Sequence, residues 1–272
     1  MSKLRAWMQC LLPSRFRARF PVVPVVRVSG VIGSVLPLRQ GLSLSVMAPL
    51  LERAFSTRGA KAVAIVINSP GGSAVQSHLI FRRVRAHADD SKLPVLVFVE
   101  DAAASGGYMI ACAGDEIFAD PSSLVGSIGV VSAGFGFDKL IERLGIERRL
   151  HSAGESKAML DPFRPERPED LDRLKAIQAK VHAAFKELVE TRRGTRLRGE
   201  PEGLFSGAVW TGSEALDLGL VDGLGEVRGI LRERYGKRVE LRIIPPARSS
   251  LIGRWLGGRS VPGTSDDAGL HL

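Results

Sequence analysis

An α/β fold with a mainly parallel sheet is predicted by three observations. Apolar, β-branched runs alternate along the chain with helix-patterned segments. Two of those runs, Ala62 to Ile67 and Pro94 to Glu100, lead into glycine turns that open into helices. A length of 272 residues with 44% hydrophobic content is enough to bury one full α/β core, with strand-helix-strand units crossing over right-handed.

In chain order, the pattern predicts a strand over Val22 to Ile32, a helix over Leu42 to Ser56, and a strand over Ala62 to Ile67. The Pro70-Gly71-Gly72 turn joins this strand to a helix over Ser73 to Arg85. The run PVLVFVE, Pro94 to Glu100, is apolar and β-branched enough for a buried strand, and Tyr108 to Gly114 reads as a short helix of small and apolar residues. Strands follow at Glu116 to Ala119 and Gly126 to Ser132, then a helix near Asp138 to Leu144 and a strand-like stretch at Glu147 to His151. Pro168-Glu169-Asp170 opens a long amphipathic helix reaching about Arg193. The expected organisation is a basic amphipathic extension over residues 1–21, one catalytic domain over 22–246, and a basic glycine-rich tail over 247–272.

Ser105 stands at a strand-to-helix joint in EDAAASGGYMIACAGDEIFA. There its hydroxyl meets the positive start of a helix, and Gly106 lets backbone N–H groups approach a ligand closely. Serine is also among the best N-capping residues, and taken alone capping is the simpler account. Two other segments outweigh it. In INSPGG, Gly72 follows the carboxyl end of a strand, where open α/β sheets place their sites. If the two strands are neighbours, the amides of Gly72 and Gly106 converge on a developing oxyanion, although such a turn needs no ligand to explain it. In GESKAMLDPF, Lys157 precedes the apolar Ala158-Met159-Leu160. A lysine acts as a general base only when neutral, which requires its pKa to fall from about 10.4 by about 3 units, or about 4 kcal/mol. The apolar neighbours permit that burial; Glu155 opposes it, and a solvated loop lysine is the ordinary case.

INSPGG, AASGGYMIACAGDEIFADPSSLVGSIGV and GESKAMLDPF, in this order and spacing, resemble the signal peptide peptidase A family of serine proteases. The resemblance spans roughly Val23 to Val239 and implies the Clp protease/crotonase fold, with residues 22–246 as its peptidase domain. It implies a serine endopeptidase that works through a Ser-Lys dyad and an acyl-enzyme, on signal peptides or other short or unfolded apolar peptides. Ser105 aligns with the family nucleophile, Lys157 with its general base, the backbone of Gly72 and Gly106 with its oxyanion hole, and Ser127 with a lysine-orienting serine. Homo-oligomeric rings or domes are implied, with the lysine acting on its own or a neighbouring subunit, and neither a cofactor nor a metal. The chain departs from the family where an aromatic or histidine usually precedes the lysine: here it is Ser156, after Glu155. A later stretch around Trp210 resembles a family helix that packs on the core and reads as structural.

A serine hydroxyl is a weak nucleophile and needs an adjacent base. His78, His87, His182 and His271 read as surface residues, and no histidine lies between Ser105 and His151, which leaves His151 as the alternative base. Asp217 and Asp222 have no His or Cys spaced with them as metal ligands and read as solvated caps. The PGG and SGG turns lack the GxGxxG and GxxxxGK[ST] spacings of nucleotide sites. Cys10 and Cys112 offer no disulfide framework and suit a reducing, cytoplasmic compartment, with Cys112 as packed core.

The first twenty residues, MSKLRAWMQCLLPSRFRARF, are broken by Gln9, Pro13 and arginines, far short of the ~20 apolar residues of a membrane span, and show no secretory cleavage pattern. Basic residues interleaved with Trp7, Leu11, Leu12 and Phe16 suit an anionic membrane surface, and Arg254 with Trp255 repeats the theme in the tail. The formal net charge of +9 suits such a surface or a solvated basic face equally, and no nucleic-acid-binding motif accompanies it. Two readings from other classes stand beside the protease. One is a crotonase-like acyl-CoA enzyme using Glu100 or Glu116, with Asp101 and Asp115 nearby. The other is an inactive membrane-surface scaffold of the same fold.

Overall fold

The computed structural model describes residues 20–33 and 41–245. Both basic extensions lie almost wholly outside these residues. The elements are β1 (Val22–Ser29), α1 (Leu44–Phe55), β2 (Val63–Ser69), α2 (Ala74–Ser91), β3 (Val95–Ala104), α3 (Gly106–Ala111), β4 (Glu116–Ala119), β5 (Leu124–Gly126) and α4 (Asp138–Arg143). A 3₁₀ turn, Glu155–Ala158, precedes α5 (Pro168–Arg193), which a second, Gly194–Arg196, follows; then come α6 (Pro201–Leu204), β6 (Val209–Thr211), α7 (Gly212–Asp217), β7 (Gly223–Leu224), α8 (Val227–Tyr235) and β8 (Glu240–Ile243).

The strands form one sheet in the order β6-β5-β3-β2-β1-β8, with β4 and β7 branching from β3. Every pairing is parallel except β5 with β6. Helices cover both faces, which is why β1, β2 and β3 read as nearly continuous apolar runs. Val26, Val28, Ile65, Ile67, Val97 and Val99 point to the side of α1, α2, α3 and α5. Their alternates Val23, Val25, Ala64, Val66, Leu96 and Phe98 pack with Leu231 of α8 on the other.

β3 organises the site. Its first half pairs with β4, Leu96 opposite Glu116, and its second half with β5, Ala102 opposite Leu124. The register with β2 shifts between Ile67 and Ser69, so the carboxyl ends of β2 and β3, both followed by glycine turns, finish side by side.

Three expected strands are cut short, displaced or absent. The first strand stops at Ser29, and Ile32 beyond it makes single bridges to Leu42 and Gly72. The strand expected over Gly126 to Ser132 is Leu124–Gly126 instead, because Gly126 and Ser127 take φ of 108° and 52°, outside extended geometry. The stretch Glu147 to His151 joins no sheet and is exposed.

The segment from about Val130 to Arg164 supplies nothing to either core cluster. It carries Val131 at 86% exposure and Phe135 at 79%, and is braced locally. Phe137 packs 6.0 Å from Phe135 and 5.6 Å from Phe163, and Arg148 lies 5.0 Å over the Phe163 ring and 3.1 Å from Asp161. Among the described residues, no helix is long and apolar enough to cross a membrane.

Candidate active site

Ser105 joins β3 to α3 with φ 51° and ψ −120°, and its side chain makes no capping hydrogen bond. An N-cap residue has extended backbone and lends its side-chain oxygen to the first helical turn; Ser105 does neither. A non-glycine residue in this region costs about 1–3 kcal/mol and persists only where its surroundings hold it. They do so here: the Ser105 N–H donates to Gly126 O at 2.8 Å, and its carbonyl accepts from Met109 N at 3.0 Å. The hydroxyl is thus freed from local hydrogen bonding at a sharp strand-to-helix turn.

The Pro-Gly-Gly turn packs directly on this joint. A Cβ on Gly71, whose φ is 100°, would lie 2.8 Å from Ala104 O and 2.9 Å from Gly106 N, so only glycine fits. The amides either side of Gly72 are engaged, Gly71 N–H with Ser69 Oγ at 3.2 Å and Ser73 N–H with Ile32 O at 2.8 Å. Gly72 N itself lies 3.5 Å from where a Gly106 Cβ would stand. Gly106 opens α3, so its N–H has no acceptor within the helix. Two main-chain donors therefore stand together beside the Ser105 hydroxyl.

Ser105, Gly72, Gly106 and Ser127 line one depression of about 570 Å³. Ser127, at φ 52°, is held by its N–H to Ala208 O at 2.7 Å and accepts from Gly129 N at 3.0 Å. The other walls are apolar, Met109 from α3, Val181 and Phe185 from α5, and Val130 and Val131, with Ser206 and Gly207 closing one side. These wall residues carry no chemical motif; the one sequence signal was the i,i+4 spacing of Val181 and Phe185 on a helix. His182 is half-buried rather than a free surface residue, its Nε2 lying 3.1 Å from Ile128 O beside Ser127.

Lys157 is not brought to this depression within the single chain. It sits exposed on the 3₁₀ turn Glu155–Ala158 and lines a separate depression with Arg148, Leu150, His151 and Met159. Both bases considered from sequence, Lys157 and His151, therefore lie on the locally braced segment.

The carboxylates are engaged elsewhere. Glu100 pairs with Arg27 at 2.5 Å, Glu116 with Arg234 at 2.5 Å, Asp115 with Arg85 at 2.8 Å, and Asp101 accepts from Asn68 at 2.6 Å. None of them lines the Ser105 depression. Asp222, expected as a solvated cap, instead receives both Arg193 Nη atoms at 2.8 and 3.0 Å, with Arg193 only 2% exposed. Burial alone would raise the Asp222 carboxyl, but the Arg193 hydrogen bonds and charge outweigh it and hold the group below its ordinary value. Burial pushes the Cys112 thiol up to about 12, in keeping with packed core. Among the described residues, no group of three or more His, Cys, Asp and Glu side chains is placed to hold a metal.

Residues 87–238 match the model of peptidase family S49. The Na(+)/H(+) antiporter NhaA of Brucella abortus is 54% identical over 260 residues, covering 95% of this chain and 34% of that protein. The chloroplastic serine protease SPPA of Arabidopsis thaliana is 34% identical over 208 residues, covering 75% of this chain and 30% of that protein. Protease 4 of Haemophilus influenzae is 31% identical over 205 residues, covering 75% of this chain and 32% of that protein. The chain thus spans about a third of the length of these relatives. A variant of the membrane-bound stomatin-specific protease 1510-N, solved with a substrate peptide, superposes with a TM-score of 0.52 at 17% identity, covering 87% of this chain and 98% of that one. It shares the Clp protease/crotonase-like fold seen here. By fold, and by the sequence spanning the Ser105 block and the helices behind it, the chain belongs to peptidase family S49.

Proposed function

We propose that this chain is a serine endopeptidase that hydrolyses peptide bonds through an acyl-enzyme. The observation that carries the reading is Ser105 itself, a strained, uncapped hydroxyl beside the Gly72 and Gly106 amides in a depression walled in part by Met109, Val181 and Phe185. Ser105 Oγ attacks the scissile carbonyl, the oxyanion forms between the two amides, and neutral Lys157 takes the hydroxyl proton. The resulting ammonium protonates the leaving amine, and water reverses the sequence to release the acyl group. Ser127 orients the lysine.

Lys157 and Ser105 line different depressions of one chain, so in this reading the dyad is completed in a homo-oligomer, with the braced segment of one copy reaching the site of the next. The exposed Val131, Phe135, Leu144 and Ile146 on that segment support such docking. The substrates are extended apolar peptides, such as signal peptides or unfolded segments, laid against Met109, Val181 and Phe185. The enzyme works in the cytoplasm, and its basic extensions hold it to the anionic inner face of the membrane. An acyl-CoA enzyme is less well supported, because no carboxylate lines the depression.

A fluorophosphonate probe and peptide hydrolysis test the reading together. Wild type labels at Ser105 and cleaves; Ser105→Ala and Lys157→Ala each lose cleavage. If the lysine acts across subunits, mixing the two inactive variants restores part of the activity. Equal hydrolysis by all three proteins sinks the peptidase, and an inactive, unlabelled wild type favours the scaffold.

A further inference from the structure

The helix that begins at the nucleophile is also held from behind. α3 is six residues long and wholly buried, so about 9 Å of helix, at ~1.5 Å per residue, connects Ser105 to its last turn. The carbonyls that follow that turn have no helical donors, and guanidinium groups take them. Arg192 Nε donates to Cys112 O at 2.8 Å and Nη2 to Gly114 O at 2.9 Å, while Arg85 Nη1 donates to Ala113 O at 3.1 Å. Asp115 Oδ1 lies 2.8 Å from Arg85 and 3.5 Å from Arg192, which keeps the two cations side by side.

The helices that supply these arginines also reach the site. Arg85 lies on α2, whose first residue, Ala74, lines the depression, and Arg192 lies on α5, which supplies Val181 and Phe185 to its wall. Arg193, the next residue, turns the other way, to Gly219 O at 2.9 Å and to Asp222, while Tyr108 of α3 donates to Leu220 O at 2.8 Å. α3 is therefore pinned along its side by Tyr108 and at its far end by Arg192.

The geometry points to Arg192 as a positioning residue for catalysis, which fixes α3 along its axis and so sets where Ser105 Oγ and Gly106 N–H stand relative to Gly72 N–H. Its fork spans two carbonyls two residues apart. A lysine, with one compact head, holds one of them at a time. The inference rests on the peptidase reading for its kinetic readout and not for its structural one.

The test compares full-length wild type with Arg192→Lys, Arg192→Met and a control, Arg234→Met, which breaks the ion pair to Glu116 and touches neither α3 nor the depression. Peptide hydrolysis gives kcat and KM, and hydrogen exchange followed by mass spectrometry reports on residues 105–114. Misplacement of about 1 Å at reacting atoms lowers rates about 100-fold. Arg192→Met is accordingly expected to lower kcat about 10- to 100-fold with KM within about twofold, and Arg192→Lys to recover part of the loss. Exchange is expected to quicken about tenfold in 105–114 and not across the sheet, whereas a merely structural loss would quicken it everywhere. Arg234→Met leaves kcat and the 105–114 exchange as in wild type.

An Arg192→Met enzyme with wild-type kcat and wild-type exchange overturns the inference and leaves the peptidase reading standing. Faster exchange confined to 105–114 in a protein whose wild type neither cleaves nor labels sinks the peptidase reading and leaves Arg192 holding α3. If Arg192→Met does not fold, the same criteria apply to Arg192→Lys.

Discussion

Gly106→Ala separates two consequences of one added methyl group. The new Cβ would stand 2.2 Å from Ser77 Oγ and 3.2 Å from Ser77 Cβ. Ser77 is fully buried and donates its hydroxyl to Ser73 O at 2.9 Å. Either that hydroxyl swings away, giving up a hydrogen bond worth about 1 kcal/mol, or the helices shift, with an overpacking cost of about 1–3 kcal/mol. The better helix propensity of alanine returns up to about 1 kcal/mol, which leaves a net destabilisation of at most about 2 kcal/mol. Ser77→Ala alone should cost about 1 kcal/mol. In the double variant the offending oxygen is gone and the nearest contact is the 3.2 Å one to the Cβ at position 77, which must yield by only a few tenths of an ångström, so the combined loss should fall short of the sum by about 1–2 kcal/mol. Activity should behave differently. The same methyl group lies 3.5 Å from Gly72 N, one of the two amides proposed to hold the oxyanion, and loss of one such donor lowers kcat about 100- to 1,000-fold. Urea unfolding of the four proteins gives the stability coupling, and peptide hydrolysis gives the rates. Additive stabilities, or a double variant whose rate recovers along with its stability, would refute the reasoning.

Asp222→Asn leaves the buried Arg193 cation without its counter-charge, and a loss of about 3 kcal/mol is expected in denaturant titrations near neutral pH. Because the folded carboxyl is held below its unfolded value of about 3.9, its contribution is complete above that pH and disappears as the pH falls through the folded value. The stability gap between wild type and variant should therefore close in acid, and a constant gap from pH 7 to pH 2 would count against the ion pair. With its thiol near 12 and 1% exposed, Cys112 should react with iodoacetamide at pH 8 only as fast as the protein opens, as peptide mapping would show; modification of the folded protein within minutes would contradict the packing. Phe185→Ala removes a ring that is 3% exposed and should lower unfolding free energy by about 3 kcal/mol while raising KM for apolar peptides; unchanged values for both would remove Phe185 from the wall.

β2, β3 and α5 were legible because their cause is local. Strands covered on both faces are apolar throughout, and Pro168 at the first turn marks where a helix can start. The end of β5 was not, since Ser127 leaves extended geometry through a hydrogen bond to Ala208, just before β6 and about eighty residues further along the chain. Glu147 to His151 has strand-like composition but no neighbour to pair with, and pairing is not written in one segment. The glycines and Ser105 announced themselves because close backbone approach restricts residue type. Met109, Val181, Phe185 and Ser206 did not, since ordinary apolar and small residues reach the depression only by the packing of three distant elements. Asp222 misled for a related reason: nothing near it in sequence shows that Arg193 lies opposite.

The backbone of Ser105 has a consequence for how this chain can change. Its φ of 51° with ψ −120° suits glycine far better than any residue with a side chain. Ser105→Gly should relieve that conformational penalty, offset in part by the greater freedom of an unfolded glycine, while taking away the hydroxyl that the proposed mechanism acylates. Durability and turnover thus pull in opposite directions at one position, so a screen that rewards heat resistance alone would drift toward inert protein.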